Sequence, residues 1–476
     1  MFPIKSLSQT LRTRQTWAKK TLRPWVQNTR PQAVDLPISL WGLDAHPSQG
    51  LCYQGVALHG LLETYGSPLF VCLEDTLSRN IHAWHAHSQH HPVYGSPVFY
   101  SYKTHPVPGV LGMMHAQGVG AEVISPYELW LAEKMGVPAS RTVYNGPAKS
   151  DSSLDHAIHR EIFLIHINHK EEIARVEAAA QRVGKKARVG LRIQCGVGWG
   201  GQFGIPVANQ EALQAFAYAL RSPHLNVVSV HAHRGGHIHT QEEISTFLGH
   251  VMRFCKTLHA CTGFFPSILD IGGSLGTPTV RTLSGIDIRL NSAFQCQHHA
   301  PATINTLDIA LYLKTVYACV QAHMKDIRAP APWVVFEPGK ALTGNTHMLL
   351  TSVVDVQERA ESTPFAVLDA GINVADAARF EYHQVYPVNL FEKHKNTVYA
   401  LAGPICTPGD VLYGACLLPA LKPKDSLAFM DTGAYWVPFS TSFSFPQPAI
   451  VSIKKNSVRL LRHAESYFNR IEHDVI

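Results

Sequence analysis

The sequence contains no run of about eighteen or more apolar residues, so no transmembrane helix is expected. Its nine cysteines, at positions 52, 72, 195, 255, 261, 296, 319, 406 and 416, are odd in number and follow no regular spacing. A disulfide framework is therefore not expected, and the chain reads as one kept in a reducing cytoplasm. Charge is scarce as well: 16% of residues are charged against 46% apolar, the balance of an ordinary globular protein with a large core. The first 34 residues lack any acid, yet carry Lys5, Arg12, Arg14, Lys19, Lys20, Arg23 and Arg30. With that stretch set aside, the formal charge of +6 falls to near zero, and no nucleic-acid-binding surface is expected. The stretch also lacks the roughly 7–15-residue apolar core of a secretory signal. Two readings stay open for it, a transit peptide and a solvated or dimer-wrapping arm, and the arm is the simpler. No internal repeat or low-complexity tract stands out.

What is present is an alternation. β-rich runs at residues 96–104, 118–125, 142–147, 161–167, 187–194, 227–236, 267–273 and 333–339 are separated by helical stretches. Eight such runs are what a closed (β/α)8 TIM-like barrel of the α/β class needs. The helices announce their starts: Ser125-Pro-Tyr-Glu128 has the form of a capping box, and Asp75 is placed to cap a helix with an apolar face of Leu77, Ile81 and Trp84. Beyond Gly339 short β-rich segments and Pro/Gly turns take over, as in Gly403-Pro404 and Pro408-Gly409. The expected division is a basic extension (1–34), a segment joining a β-domain (35–65), the barrel (66–340), a C-terminal β-domain (341–453) and a tail (454–476).

Barrels of this kind gather their functional residues where strands end. The first run closes on Tyr100-Ser-Tyr-Lys103-Thr-His105, and taken alone such a lysine reads as a snorkelling rim residue. The sixth gives His231-Ala-His233-Arg-Gly-Gly236, an imidazole able to stack on a flat ring beside glycines that expose backbone N–H groups. The seventh ends Leu269-Asp-Ile-Gly272-Gly273-Ser-Leu-Gly276, a turn able to wrap an anion. The eighth ends Phe336-Glu337-Pro338-Gly339-Lys340, a carboxylate and a cation side by side. One ligand suits all of these. A phosphate takes amides and a cation, a pyridinium nitrogen takes a carboxylate, and an aldehyde takes a lysine: pyridoxal 5′-phosphate, PLP.

These motifs, in this order, resemble the fold-type III PLP-dependent decarboxylases, which include diaminopimelate and ornithine decarboxylases and share an alanine-racemase-like barrel. The likeness runs from about Gly66 to Pro448. It also takes in Gly120-Ala-Glu-Val-Ile-Ser125 with Glu128-Leu129, Asn145-Gly-Pro-Ala-Lys149-Ser150, Leu191-Arg-Ile193, Phe203-Gly-Ile205, Gly403-Pro-Ile-Cys406 and Gly433-Ala-Tyr435. The resemblance implies that Lys103 holds PLP covalently, His233 stacks on its ring, and Glu337 pairs with the ring nitrogen. Gly236, Gly272, Gly273, Gly276, Gly339 and Lys340 would cradle the phosphate, with Tyr435 reaching it from the β-domain. Cys406 would protonate the carbanion left when CO2 departs from an amino-acid substrate, and Thr407, Asp410 and Arg379 would face that substrate. In this family the Cys and Tyr elements serve the partner's site, so a head-to-tail homodimer is implied. An anion at position 337 favours decarboxylation, since related racemases place a cation there and so limit the electron sink.

Four positions depart from the family pattern. Lys340 stands for an arginine, Gly236 for a serine, Gln202 for a basic residue, and Thr407 for an acid that meets a distal amine. The string Cys406-Thr-Pro-Gly-Asp410 is similar to a subgroup in siderophore and natural-product pathways, including decarboxylases of citryl-diaminopropionate and of carrier-bound glutamate. Two rival readings remain. His231-x-His233 with His237-x-His239 imitates the ligand spacing of a metal-dependent barrel hydrolase. A weakened phosphate cup would also suit a catalytically lapsed homologue acting as a binding or regulatory protein.

Overall fold

Helix and strand alternate eight times in the computed structural model, which describes residues 19, 21–29, 34–198, 201–301, 307–359 and 363–475. Most of the basic extension lies outside these residues. Residues 21–28 are helical, and Gln27 Nε2 donates to the carbonyls of Phe294 and Gln295 at 3.1 and 3.2 Å. Among the described residues no helix is long and apolar enough to cross a membrane.

The chain divides into two compact units, one of residues 75–277 and 304–344, the other of residues 1–74, 278–303 and 345–476. The first is built from α1 (Glu74–His87, whose first residue falls in the other unit), β1 (Phe99–Ser101), α2 (Pro108–His115), β2 (Gly120–Val123), α3 (Pro126–Lys134), β3 (Thr142–Tyr144), α4 (Asp151–His159) and β4 (Leu164–Ile167). It continues with α5 (Lys170–Val183), β5 (Ala187–Gln194), α6 (Glu211–Arg221), β6 (Leu225–Ala232), α7 (Gln241–Thr262), β7 (Ile268–Asp270), α8 (Ile309–Met324) and β8 (Trp333–Val335). Neighbouring strands pair in parallel in chain order. The ring is joined between its ends by a parallel bridge of Val98 to Phe336, with Phe99 N–H donating to Phe336 O and Phe336 N–H to Pro97 O, both at 2.9 Å. The expected eight-stranded α/β barrel is therefore present.

The strands are short and buried on both faces, as parallel strands under a coat of helices must be. Where they begin, Phe99 stacks on Phe163 at 5.3 Å, with Arg141 over Phe99 at 4.5 Å and Arg188 over Phe163 at 5.1 Å. Polar chemistry is thus left to the opposite end. The face Leu77, Ile81 and Trp84 of α1 is buried, and Trp84 packs on Phe336 at 5.4 Å. α1 starts at Glu74, so Asp75 lies in its first turn rather than at its cap. Ser125 caps α3 through the Glu128 N–H at 3.2 Å, but the Glu128 carboxylate reaches back to the Ile124 N–H at 2.7 Å, one residue beyond the expected box.

In the other unit the strand Leu69–Leu73 lies at the middle of a sheet. It runs antiparallel to His347–Gln357 and parallel to Ala449–Lys454, over a core that includes Trp41, Leu51, Val71, Met348, Leu350, Met430 and Val451. The expected division differs here in several parts, and residues 341–344 cluster with the barrel rather than with the β-domain. Residues 66–74 and 278–303 cluster with this unit rather than with the barrel, and the strand Ser457–Arg462 continues the sheet past residue 453. An apolar run such as Leu69-Phe-Val-Cys-Leu73 marks a buried strand but carries nothing that tells one sheet from another.

A candidate cofactor site at the strand ends of the barrel

Each barrel strand delivers one polar side chain at or near its end. β1 is followed at once by a 3-10 turn, Tyr102–Thr104, that presents Lys103 with a third of its side chain open. β2 contributes Glu122, β4 His166, β5 Arg192, β6 His231 and β7 Asp270, while Asn145 follows directly after β3 and Glu337 lies two residues past β8. A lone polar residue inside an apolar strand is costly to bury unless it finds partners, and these find one another. Lys103 Nζ lies 3.2 Å from Glu122 Oε2. Asn145 Nδ2 donates to Glu122 Oε1 at 2.9 Å and to Glu337 Oε1 at 2.6 Å, and its Oδ1 accepts from His166 Nδ1 at 2.7 Å. His166 stacks on His231 at 4.3 Å, and His231 Nε2 stands 3.7 Å from Glu337 Oε2.

Burial governs the electrostatics of this cluster. It drives the pKa of Glu337 up to about 7, the negative charge of Glu122 adds to the rise, and Lys103 and the Asn145 hydrogen bond oppose it. Asp270 is pushed well above the ordinary carboxyl range, first by burial and then by Glu337. Asp270 Oδ1 accepts the Gly272 N–H at 2.9 Å, while Oδ2 has no hydrogen-bond donor of its own. Burial and the nearby Glu337 charge both favour the protonated form of Asp270. Burial also holds His166 and His231 neutral, far below the usual imidazole range.

Three loops converge beside the cluster. Gly235 N–H donates to Ser274 Oγ at 3.0 Å and Ile238 N–H to Ser274 O at 2.8 Å. Gly273 N–H donates to His233 Nδ1 at 3.3 Å, which fixes that ring against the turn. A Cβ at Gly272, where φ is +66°, would stand 2.1 Å from His233 Nδ1, and one at Gly273 would stand 2.5 Å from Glu337 O. The turn is thus open only to glycine. Its Gly272 and Gly273 amides are bound internally, so these two residues shape the cradle and do not serve as its donors. Gly339 allows a similarly close approach to Thr104. Lys340 Nζ lies 2.9 Å from His237 Nε2, a contact that sequence reasoning missed.

The other nominated residues lie in the second unit. Cys406 and Thr407 are exposed on the loop after Ala402. Asp410, expected to face substrate, is instead buried: Oδ1 accepts from Ile372 N–H and Oδ2 from Ile405 N–H, both at 2.8 Å. It clamps the Cys406 loop. Arg379 Nε donates to Asp376 at 2.8 Å. Tyr435 adopts a left-handed φ of +69° and stacks on Phe439 at 5.9 Å, a conformation that a bulky residue holds only where its surroundings impose it. Lys149 is structural, a buried ammonium bound to Gly146 O, His166 O and Glu172 at 2.7–2.8 Å. Nor do the four histidines of the metal reading gather. Among the described residues the one convergent ligand group is His166, His231 and Glu337, with ligand atoms within 4.8 Å, and His166 Nδ1 is already engaged by Asn145.

An amine at the mouth, an acid within the barrel and a glycine cradle beside a lysine are the fittings for a phosphorylated pyridine aldehyde. The buried Glu337 and the turn that admits no Cβ fit PLP. Fold and site together define a PLP enzyme of the barrel class. Residues 74–344 match the family described as "Pyridoxal-dependent decarboxylase, pyridoxal binding domain", and the chain belongs to that family: it is a PLP-dependent carboxy-lyase acting on an amino acid. It is 28% identical to the diaminopimelate decarboxylase of Aquifex aeolicus over 88% of this chain and 94% of that one. It is 27% identical to that of Methanocaldococcus jannaschii over 87% and 93%. A solved structure from Aquifex aeolicus superposes with a TM-score of 0.75 at 26% identity, covering 91% of this chain and 98% of that one. The diaminopimelate decarboxylase of M. jannaschii in complex with L-lysine shares the fold, with a TM-score of 0.78 at 23% identity, again over 91% and 98%.

Proposed function

We propose that Lys103 holds the cofactor aldehyde and that the amino acid decarboxylated here carries no free ammonium at its distal end. Bound PLP supplies a sink for the electron pair left when CO2 departs. The observation that carries the assignment is the unbroken line Lys103–Glu122–Asn145–Glu337, an amine and a buried acid joined through hydrogen bonds. Glu122 steadies the amine. Glu337 would meet the ring nitrogen and, ionised, keep a proton on it. His233, held at Nδ1 by Gly273, would lie against the ring face. Lys340 with its partner His237, and the amides of Gly236 and Gly276, would take the phosphate.

Cys406 would hold the proton destined for the substrate's Cα, and Tyr435 would add to the phosphate contacts, in a head-to-tail homodimer with shared sites. A thiol suits the proton's task, because an ordinary cysteine stays protonated at neutral pH. The distal end is read from the Cys406 loop. Thr407 is neutral, and Asp410, the acid of that string, has both oxygens on backbone amides. An acylated, anionic or carrier-bound distal group avoids a costly unpaired ammonium, which also suits a place in siderophore or natural-product assembly.

Two measurements test this. Borohydride reduction of the PLP-loaded protein followed by peptide mapping should place the pyridoxyl label on Lys103, and a label on another lysine refutes the assignment. A panel of free and N-acylated diamino acids, read for CO2 and amine by mass spectrometry, should favour the blocked compounds. Efficient turnover of free lysine, ornithine or meso-diaminopimelate, with none of the blocked ones, overturns the distal-end reading.

A further inference from the structure

Asn145, just past the end of β3, has no task in the reading so far beyond being a link. Its side chain is nevertheless fully committed and deeply buried along with its partners, since the residue, Glu122 and Glu337 are 5%, 0% and 5% exposed. The amide orientation follows from chemistry. Carboxylates accept only, so Nδ2 must face Glu122 Oε1 and Glu337 Oε1, giving one hydrogen to each. Oδ1 then faces His166, which must present Nδ1–H. One neutral amide therefore stands between the carboxylate that partners Lys103 and the carboxylate assigned to the ring nitrogen. Hydrogen bonds donated to a carboxylate favour its charged form, while a second buried carboxylate nearby disfavours it. For Glu337 both influences are present: Glu122 works toward the protonated form and Asn145 against it.

We propose that Asn145 is a positioning residue that allows Glu122 and Glu337 to be ionised together, so that Lys103 keeps its counter-ion while the ring nitrogen keeps its proton. The inference rests on the cofactor assignment above. It makes the two ends of the cofactor interdependent: removing the amide forces one carboxyl to take a proton, and Glu337, whose acidity burial already weakens, takes it. Removing the charge of Glu122 should then restore the ionised Glu337 even without the amide.

The test is the ¹⁵N resonance of ring-labelled PLP bound to wild type, Asn145→Leu, Asn145→Asp and the double variant Asn145→Leu/Glu122→Gln, with the Kd for PLP measured alongside. Wild type should show a protonated ring nitrogen. Both single variants should move the resonance toward the neutral position and raise the Kd by about tenfold, the equivalent of one charge-assisted hydrogen bond. The double variant should recover the protonated resonance, a rescue that a packing defect would not produce. Asn145→Asp keeps the native shape, so the measurement stands even if the leucine variant folds poorly. A protonated nitrogen in the single variants, or no recovery in the double variant, overturns the inference and leaves the cofactor assignment intact. Wild type that binds no PLP, or binds it with a neutral nitrogen, overturns the assignment and the inference with it.

Discussion

Replacing Asp410 with alanine removes the carboxylate that accepts the Ile372 and Ile405 amides, each at 2.8 Å, inside a pocket shaped by Gly371 and Gly403. A Cβ on Gly371 would meet Asp410 Oδ1 at 2.3 Å and one on Gly403 would meet Oδ2 at 2.4 Å, so the loop is built tightly around this side chain. Hydrogen bonds to a charged group contribute about 1.5–3 kcal/mol each, and two together come to roughly 3–6 kcal/mol. For a unit of this size that corresponds to a fall in Tm of roughly 10 °C. Ile405 adjoins Cys406, so the loosened loop should also present its thiol less well. Differential scanning calorimetry of the Asp410→Ala protein should show the lowered transition, and product analysis should show a smaller share of amine among the products at unchanged KM. The Asp410→Asn variant keeps one acceptor oxygen and should recover part of the loss. An Asp410→Ala protein with wild-type Tm and a raised KM alone would refute the clamp and return Asp410 to the substrate.

Cys406→Ala should still release CO2, because Glu337 is untouched, but should divert product from amine to carbonyl compound and lose activity during turnover; undiminished formation of amine alone would make Cys406 a packing residue. His237→Phe keeps the ring's bulk and removes the Nε2 contact to Lys340, so PLP affinity should fall about tenfold without a change in the Tm of the cofactor-free protein. Equal affinity would show that Lys340 needs no partner. Burial raises the pKa of Glu337 from the ordinary 4.5 to about 7, so between these values the folded cofactor-free protein holds a proton that the unfolded chain has released. That contribution is complete below pH about 4.5 and is lost as pH rises through about 7, and Glu337→Gln should flatten the decline in urea titrations across this window. An unchanged slope would place the titration elsewhere.

The barrel was legible because alternation of apolar runs with capped helices is a local signal, and Lys103, His233 and Glu337 each close such a run. The network behind them was harder to read. Glu122, His166 and Asp270 appear in sequence as single polar residues among apolar neighbours, and nothing local says that they meet. The usable signal was collective: all eight strands carry one hydrogen-bonding side chain near the same end, and burial demands partners for each. Asp410 misled for the opposite reason. A motif records which residue is present but not which way it faces. The partner of His237 went unnoticed because its spacing to His239 suggested a metal, whereas its Nε2 lies against Lys340, far along the chain.

The strand Leu69–Leu73 has a consequence for how the molecule is made. Its neighbours in the sheet, paired through Cys72 to His347 and through Leu69 to Ala449, are synthesised only after the last residue of the barrel has been added. Until then five consecutive apolar residues have no sheet to enter and present bare edges for pairing with other chains. Each barrel strand has a sequence neighbour to pair with, and only the Val98–Phe336 closure waits for the last strand. Nascent chains released before the Ala449–Lys454 strand should accordingly be taken up by chaperones or aggregate, and they should do so through the segment at their beginning rather than through the break at their end.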